Sequence, residues 1–206
     1  MVPVPAARVE QAVILIGGGS TRMGRDKASI PREGLPQALY LAHLLRPFSA
    51  RAPLWLGRPS PELAQHQARL APDIRWLADP TPERQGPAAG LAALYAGSDA
   101  ADFLVLAVDL FWLTEPAIAW LLALRSGRRA VRPLLPGRPF GEPLCAWYRR
   151  DALTAMVARF DAGERAVSRA LDPATGCDVP VPAALVPCFR NGNEPEALRD
   201  GGFSLM

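Results

Sequence analysis

The fold of this chain is decided by residues 13–27, which read VILIGGGSTRMGRDK. Residues 13–16 are all apolar, as expected for a strand buried on both faces of a parallel sheet, and three glycines follow directly. The strand therefore delivers a glycine-rich loop to its own carboxyl end. Glycine N–H groups can approach an anion closely, and Arg22, Arg25 and Lys27 add positive charge beside them. These features predict a loop that binds phosphate groups.

Two common phosphate-binding loops are excluded by the spacing of the glycines. The dinucleotide fingerprint requires G-x-G-x-x-G, but after Gly17 and Gly19 the place of the third glycine is taken by Arg22. The Walker loop requires Gly-Lys-Ser/Thr, but Gly24 is followed by Arg-Asp-Lys. The loop is therefore of a third kind.

The pattern of residues 15–27, L-x-G-G-x-S-x-R-M-G-x-D-K, resembles the signature of the nucleotidyltransferases that activate sugars, isoprenoid precursors and molybdopterin. The resemblance is specific, because Arg-Met-Gly at 22–24 and Asp-Lys at 26–27 both stand at the expected distances from the glycines. The alternative interpretation is a glycine turn in an ordinary α/β protein with incidental basic residues.

Length, charge and cysteine content restrict the class of protein. A chain of 206 residues can bury a sizeable core, and we expect one nucleotidyltransferase domain over residues 1–206. The net charge is +3, but the basic residues are scattered, so we expect no nucleic-acid partner. The 3 cysteines form no C-x-x-C pair, which predicts neither a disulfide framework nor a zinc site. No targeting or membrane-spanning segment is evident, so we expect a cytoplasmic protein that binds no membrane.

Predicted strands and helices alternate along the chain. After the first strand, helices are predicted at residues 35–48, 61–70, 87–95 and 115–124, and strands at 53–56, 74–77 and 103–108. The alternation predicts an α/β fold, a Rossmann-like three-layer αβα sandwich with a mostly parallel sheet. Ligands of such folds bind at the carboxyl ends of the strands.

Two aspartates follow predicted strands at the same edge as the glycine loop. Asp109 is the first charge after an apolar strand, where a hard oxygen ligand could hold Mg²⁺ bridging phosphates. Its alternative role is a turn or helix cap before Thr114. Asp79 also follows a strand, but it precedes Pro80, and an Asp-Pro pair commonly opens a turn.

Over nearly its whole length the chain is similar to the molybdenum cofactor guanylyltransferases. Beyond the loop, the matching residues are Asp79, Gly86-Pro87, Gly90, Asp109, Ala162-Gly163-Glu164-Arg165, and Phe189, Asn191, Asn193, Pro195-Glu196 and Leu198. Members of that family move GMP from GTP to the terminal phosphate of molybdopterin and release pyrophosphate. The resemblance therefore implies GTP and molybdopterin as substrates, Mg²⁺ as the cofactor, and cofactor-insertion proteins or molybdoenzymes as partners.

The resemblance also implies roles for individual residues. It implies catalytic roles for Arg22, Lys27 and Asp109, with Asp109 as the metal ligand. Asn191 and Asn193 match positions close to the active site and are candidates for the acceptor side, although Asn193 also suits the N-cap of a helix at residues 194–200. Nucleotide binding is implied for Leu15, Ile16, Gly17, Gly18, Gly19, Ser20, Arg22, Gly24, Lys27, Asp79, Gly86 and Asp109.

The chemistry of such a transfer suits these residue types. An acceptor phosphate attacks the α-phosphate of a nucleoside triphosphate, so several negatively charged groups must be brought together. Loop N–H groups, Lys27, Arg22 and a metal ion on Asp109 would offset that charge. No general base is required, because the attacking phosphate oxygen is already ionised, and we expect His43 and His66 to be structural.

Three positions depart from the family pattern. Ile16 replaces an alanine, Phe111 replaces a proline, and Leu56 or Gly57 stands where guanylyltransferases carry an asparagine near the nucleobase. The last departure makes the preference for guanine less secure than nucleotidyl transfer itself. Three alternatives to a guanylyltransferase stay open: a related cytidylyltransferase, a sugar-phosphate nucleotidyltransferase, and a non-catalytic nucleotide-binding homologue. We also expect several aromatic and neighbouring residues to line or support the acceptor side, namely Trp112, Trp120, Trp147 and residues 140–143. The alternative is that these residues belong to the core.

Overall fold

The structure, a computed structural model, describes residues 7–17, 26–78, 86–172 and 176–192. Its strands are β1 (Gln11–Leu15), β2 (Pro31–Arg32), β3 (Leu35–Pro36), β4 (Leu54–Leu56), β5 (Arg75–Leu77), β6 (Asp102–Ala107), β7 (Ala130–Leu134), β8 (Cys145–Arg149) and β9 (Gly176–Pro180). The α-helices are α1 (Gln37–Leu45), α2 (Pro61–Leu70), α3 (Gly86–Gly97), α4 (Glu115–Ala123), α5 (Arg150–Asp161) and α6 (Val167–Ala170). Short 3-10 helices occupy Lys27–Ser29, Arg46–Phe48 and Ala183–Phe189. None of the helices in these ranges is long and apolar enough to cross a bilayer.

Seven of the strands form one sheet in the order β5-β4-β1-β6-β8-β7-β9. Strand β8 is antiparallel to both of its neighbours, and the other six run in one direction. This confirms the predicted mostly parallel sheet. Because β4 and β6 flank β1, the loop after β1 begins in the middle of the carboxyl edge, where ligands of this architecture bind.

Helices cover both faces of the sheet and so form three layers, as predicted. Side chains alternate along β1, so that Ala12 and Ile14 join the core beneath α1 and α4, whereas Val13 and Leu15 join the core beneath α3 and α5. Strand β6 alternates in the same way. A strand buried on both faces needs a continuous apolar run, which explains the sequence of residues 13–16.

The predicted helix at residues 35–48 is too long at both ends. Leu35 and Pro36 instead pair with Pro31 and Arg32 in a two-stranded antiparallel ribbon, and α1 begins at Gln37. After Leu45 the chain continues as the 3-10 helix Arg46–Phe48, because Pro47 has no backbone N–H to donate within an α-helix. The other predicted elements differ from the observed ones by at most a few residues at either end.

The elements between residues 130 and 180 were not predicted. They include the antiparallel strand β8 and the edge strand β9, which complete the sheet on the side of β6. The predicted helix at residues 194–200 lies outside the described residues.

Gly57 makes a close backbone approach at the carboxyl end of β4. Its φ is +107°, and a β-carbon added there would lie 2.9 Å from the nitrogen and 3.0 Å from the Cα of Gly17. Neighbouring hydrogen bonds hold this arrangement, since the nitrogen of Ile16 donates to the carbonyl of Leu56 at 2.9 Å. Only glycine fits at residue 57 without displacing the start of the glycine-rich loop.

We expect Gly57→Ala to lower the free energy of unfolding more than Gly163→Ala does. Both glycines have positive φ, which costs an alanine about 1–2 kcal/mol, but a β-carbon at Gly163 (φ +99°) has nothing within 4 Å. Urea denaturation of the two variants separates the backbone cost from the clash with Gly17. Equal losses of stability would contradict the close approach.

Candidate active site

Asp109 and Lys27 meet at the carboxyl edge of the sheet. Asp109 stands two residues after β6, and Lys27 begins the 3-10 helix Lys27–Ser29. The Lys27 Nζ lies 3.2 Å from Oδ2 of Asp109, and their side chains are only 15% and 19% exposed. Two predicted site residues that are 82 positions apart in the sequence therefore form one ion pair.

The other carboxylate oxygen of Asp109 favours a bound cation. Its Oδ1 is buried and accepts no hydrogen bond from the part of the chain that the structure describes. A buried carboxylate oxygen without a donor is costly, and a metal ion would remove that cost. Among the described residues, no group of three or more His, Cys, Asp or Glu could hold a metal ion. A single carboxylate nevertheless suits a hard cation that takes its remaining ligands from water and substrate phosphates.

The backbone around Asp109 is held from two sides. Its carbonyl oxygen accepts hydrogen bonds from the nitrogens of Gly192, at 2.8 Å, and Phe111, at 3.0 Å. The carbonyl of Val108 accepts from Nε2 of Gln37 at 3.1 Å. Gln37 is fully buried at the start of α1, and sequence reasoning missed it, although a polar residue opening an apolar helix was a visible signal.

Asp26 orients the chain that presents Lys27. Its Oδ1 accepts from the nitrogen of Ala28 at 3.0 Å, and its Oδ2 accepts from the hydroxyl of Ser29 at 3.3 Å. This is the N-cap of the short helix that follows the glycine-rich loop. Asp26 therefore has a structural reason to precede Lys27.

Leu15 and Ile16 could contact a ligand only through their backbones. Both side chains are buried, that of Leu15 lying 3.5 Å from where a β-carbon of Gly90 in α3 would stand. Leu56 is packed beneath the same helix. The carbonyl oxygen of Leu15 already accepts from the nitrogen of Val108 at 3.0 Å.

The remaining predicted site residues fall into two groups. Gly17 is exposed at the edge of the sheet, Gly86 opens α3 with φ +67°, and Asn191 is exposed beside Gly192. The others lie outside the described residues: Gly18, Gly19, Ser20, Arg22, Gly24, Asp79 and Asn193.

A cavity of about 300 Å³ lies next to the segment that contacts Asp109. We call it the inner cavity, and its lining includes Arg138, Phe140, Gly141, Glu142 and Asn191. Burial raises the pKa of the Glu142 carboxyl above its ordinary value, and the negative charge of Asp109 acts in the same direction.

The tryptophans expected on the acceptor side have different places. Trp147 belongs to the core, where its Nε1 donates to Oδ2 of Asp102 at 2.9 Å. Trp120 packs edge-on against Phe189 at 5.7 Å between ring centroids, and so supports the segment that leads to Asn191. Trp112 packs edge-on against Phe111, and these two residues follow Asp109 by three and two positions, respectively.

Comparison with known proteins identifies the family. The model of the MobA-like NTP transferase domain matches residues 12–175 of this chain. The chain belongs to the MobA-like NTP transferase family. The probable molybdenum cofactor guanylyltransferase of Nostoc sp. is 31% identical over 191 residues, covering 91% of this chain and 87% of that relative. The molybdenum cofactor guanylyltransferase of Xanthomonas euvesicatoria is 33% identical over 186 residues, covering 89% of each chain.

Solved structures share the fold of this MobA-like protein. The molybdopterin-guanine dinucleotide biosynthesis protein A of Archaeoglobus fulgidus has a TM-score of 0.68 at 21% identity, covering 92% of this chain and 95% of that chain. A Methanothermobacter nucleotidyl transferase has a TM-score of 0.69 at 15% identity, covering 93% and 95%. Together with the family match, these comparisons confirm the predicted family, the Rossmann-like fold and the nucleotidyltransferase class of enzyme.

We expect Glu142→Gln to raise the free energy of unfolding of this MobA-like protein at neutral pH. The pKa of Glu142 is higher in the folded state than its ordinary value, so ionisation of this carboxyl lowers stability as the pH rises. The extra stability of the variant should disappear when the pH falls below the ordinary pKa of a glutamate, since the carboxyl of the wild type is then protonated in both the folded and the unfolded state. Urea denaturation across this pH range is the measurement, and the exposed Glu62→Gln is the control. A pH-independent difference would contradict this account.

Proposed function

We propose that this protein transfers GMP from GTP to the terminal phosphate of molybdopterin and releases pyrophosphate. The observation that carries the proposal is the Lys27–Asp109 pair at the carboxyl edge of the sheet, with a buried Asp109 oxygen that accepts no hydrogen bond from the described residues. The two relatives described above carry the name of this activity and match the chain over most of its length.

Asp109 would hold the metal ion, for which we propose Mg²⁺. The carboxylate supplies a hard oxygen ligand on a rigid backbone, because Gly192 and Gln37 fix the peptides on both sides of it. Mg²⁺ bound there would offset the charge of the donor phosphates. The carboxylate also keeps the ammonium of Lys27 in place before the nucleotide enters.

Lys27 would bind the phosphates of GTP. Its ammonium group lies 3.2 Å from Asp109 and is largely shielded from water, so its charge acts on a nearby phosphate with little screening. We propose the same contribution from Arg22 and from the loop N–H groups of residues 17–24, with Asp79 and Gly86 completing the nucleotide site. The attacking phosphate oxygen is ionised at neutral pH, so no residue needs to act as a general base.

Guanine would be recognised without the asparagine that relatives carry. Gly57 occupies that region, and the clash with Gly17 prevents a side chain there. Leu56 is packed beneath α3 and contributes no wall to a pocket. The acceptors for the N1–H and the amino group of guanine would then be backbone carbonyls of Ile16 and Gly17, because the Leu15 carbonyl already pairs with Val108.

We also propose that residues 1–206 act as one nucleotidyltransferase domain in the cytoplasm. Cofactor-insertion proteins or molybdoenzymes would then receive the product. The family match over residues 12–175 and the single seven-stranded sheet support one domain.

Competition between GTP, ATP and CTP for transfer to molybdopterin tests the function. We expect GTP to be the preferred donor, with a smaller margin over ATP than in a site that keeps a side-chain acceptor, because an unmatched polar group discriminates strongly. Preference for CTP would instead assign a cytidylyltransferase. Absence of transfer from all three would favour a non-catalytic nucleotide-binding protein.

We expect Asp109→Asn to lower the transfer rate by about 100-fold and to weaken its dependence on Mg²⁺, because an amide is a poorer ligand for a hard cation. The rate is measured against Mg²⁺ concentration. Asp99→Asn is the matched control, because Asp99 is 88% exposed and pairs with Arg51 before β6 begins. A wild-type response to Mg²⁺ in the Asp109 variant would place the metal elsewhere.

A further inference from the structure

A second cavity shares part of its lining with the inner cavity. Its volume is about 670 Å³, and we call it the outer cavity. Both cavities are lined by Pro139, Phe140 and Ser168. The two cavities are therefore adjacent and meet at Phe140. The outer cavity is otherwise lined by charged and apolar residues, namely Arg132, Arg159, Glu164, Arg169, Leu171, Gly176 and Asp178.

Phe140 presents an aromatic ring where the two cavities meet. Its side chain is 47% exposed, whereas most large apolar side chains of the described residues are buried. Leu70 and Trp76 are comparably exposed, but neither lines these cavities. An exposed ring that lines a cavity offers a flat apolar face on which a ligand could stack.

A buried ion pair holds the segment that carries Phe140. Arg132 is 5% exposed, and its guanidinium donates to both carboxylate oxygens of Asp178, at 2.6 and 3.0 Å. Asp178 also accepts from the nitrogen of Gly141 at 3.0 Å. A β-carbon at Gly141 would lie 2.6 Å from both Arg132 and Asp178, so the chain beside Phe140 cannot move closer or carry a side chain there. The ring is therefore presented by a rigid wall.

We propose that the ring system of the acceptor stacks on Phe140, with its terminal phosphate in the inner cavity. This inference rests on the proposed function, which requires an acceptor with a heterocycle at one end and an ionised phosphate at the other.

The chemistry of the two cavities matches the two ends of such an acceptor. In the inner cavity, Arg138 offers a guanidinium and Asn191 an amide, both suited to phosphate oxygens, and Asn191 adjoins the Gly192 nitrogen that binds Asp109. In the outer cavity, Arg169 pairs with Glu164 at 3.2 Å, and Arg159 lies nearby. Groups of both signs suit the edge of a pterin, which presents hydrogen-bond donors and acceptors together.

Phe140→Ala tests the inference. We expect KM for molybdopterin to rise about tenfold through the lost stacking, while kcat and KM for GTP remain those of the wild type. Phe140→Tyr keeps an aromatic face and should restore KM. Leu70→Ala removes an exposed apolar side chain at the end of α2 and should change neither KM.

Gly141→Ala provides a second variant that leaves the ring in place. The added β-carbon would displace the wall, so we expect a higher KM for molybdopterin with an unchanged KM for GTP. Wild-type values for molybdopterin in both Phe140→Ala and Gly141→Ala would overturn the inference while leaving nucleotidyl transfer intact.

Direct binding separates this inference from the proposed function. Molybdopterin is titrated anaerobically into the wild type and Phe140→Ala without GTP. Weaker binding by the variant supports the pterin site even if the wild type transfers no GMP. If the wild type transfers GMP but both proteins bind molybdopterin equally, the site is wrong and the function stands; if the wild type neither binds molybdopterin nor transfers GMP, both are wrong.

Discussion

The parallel pairing of β1 with β6 is the constraint on which the site depends. Five residue pairs align the two strands, and the nitrogen of Val108 extends the pairing by donating to Leu15 at 3.0 Å. The chains after both strands then leave the sheet at the same edge, so that Asp109 and Gly17, where the glycine-rich loop begins, lie at that edge together. A one-residue shift in this register would turn every side chain of the shifted strand to the opposite core and would displace Asp109 from Lys27.

Charge is balanced differently on the two sides of this edge. Near the start of the glycine-rich loop, Asp109 pairs one oxygen with Lys27 and leaves the other buried without a hydrogen-bond donor among the described residues, at a cost in free energy that a bound cation would remove. Beside the outer cavity, Arg132 and Asp178 are paired with each other and with the backbone. The paired group supports the wall of the cavities, whereas the partly paired group is suited to bind ligands.

Much of the first half of the fold could be predicted, because its elements have local signals. The apolar run before Gly17 indicated β1, and the helix predicted at residues 61–70 is α2, where the Ser60 hydroxyl accepts from the nitrogen of Leu63. The prediction was wrong for residues 35–48, where Pro36 takes part in a ribbon that requires a partner strand. Of the candidate site, Lys27 and Asp109 were each named from the sequence, but their ion pair was not predicted, and Gln37 was missed because its role depends on the carbonyl of Val108, 71 residues away.

By itself, the sequence determined the apolar strand that ends at three glycines, the alternation of strands and helices, and the family, because each of these depends on residues that are close in the chain or on a motif of known spacing. Only the tertiary structure decided the antiparallel direction of β8, the exclusion of a side chain at Gly57, and the wall that presents Phe140. These features depend on contacts between distant segments, such as the 46 residues that separate Arg132 from Asp178. Their geometry depends on the alignment of the paired strands and on the packing of the cores on both faces of the sheet. No local pattern of residues encodes that geometry.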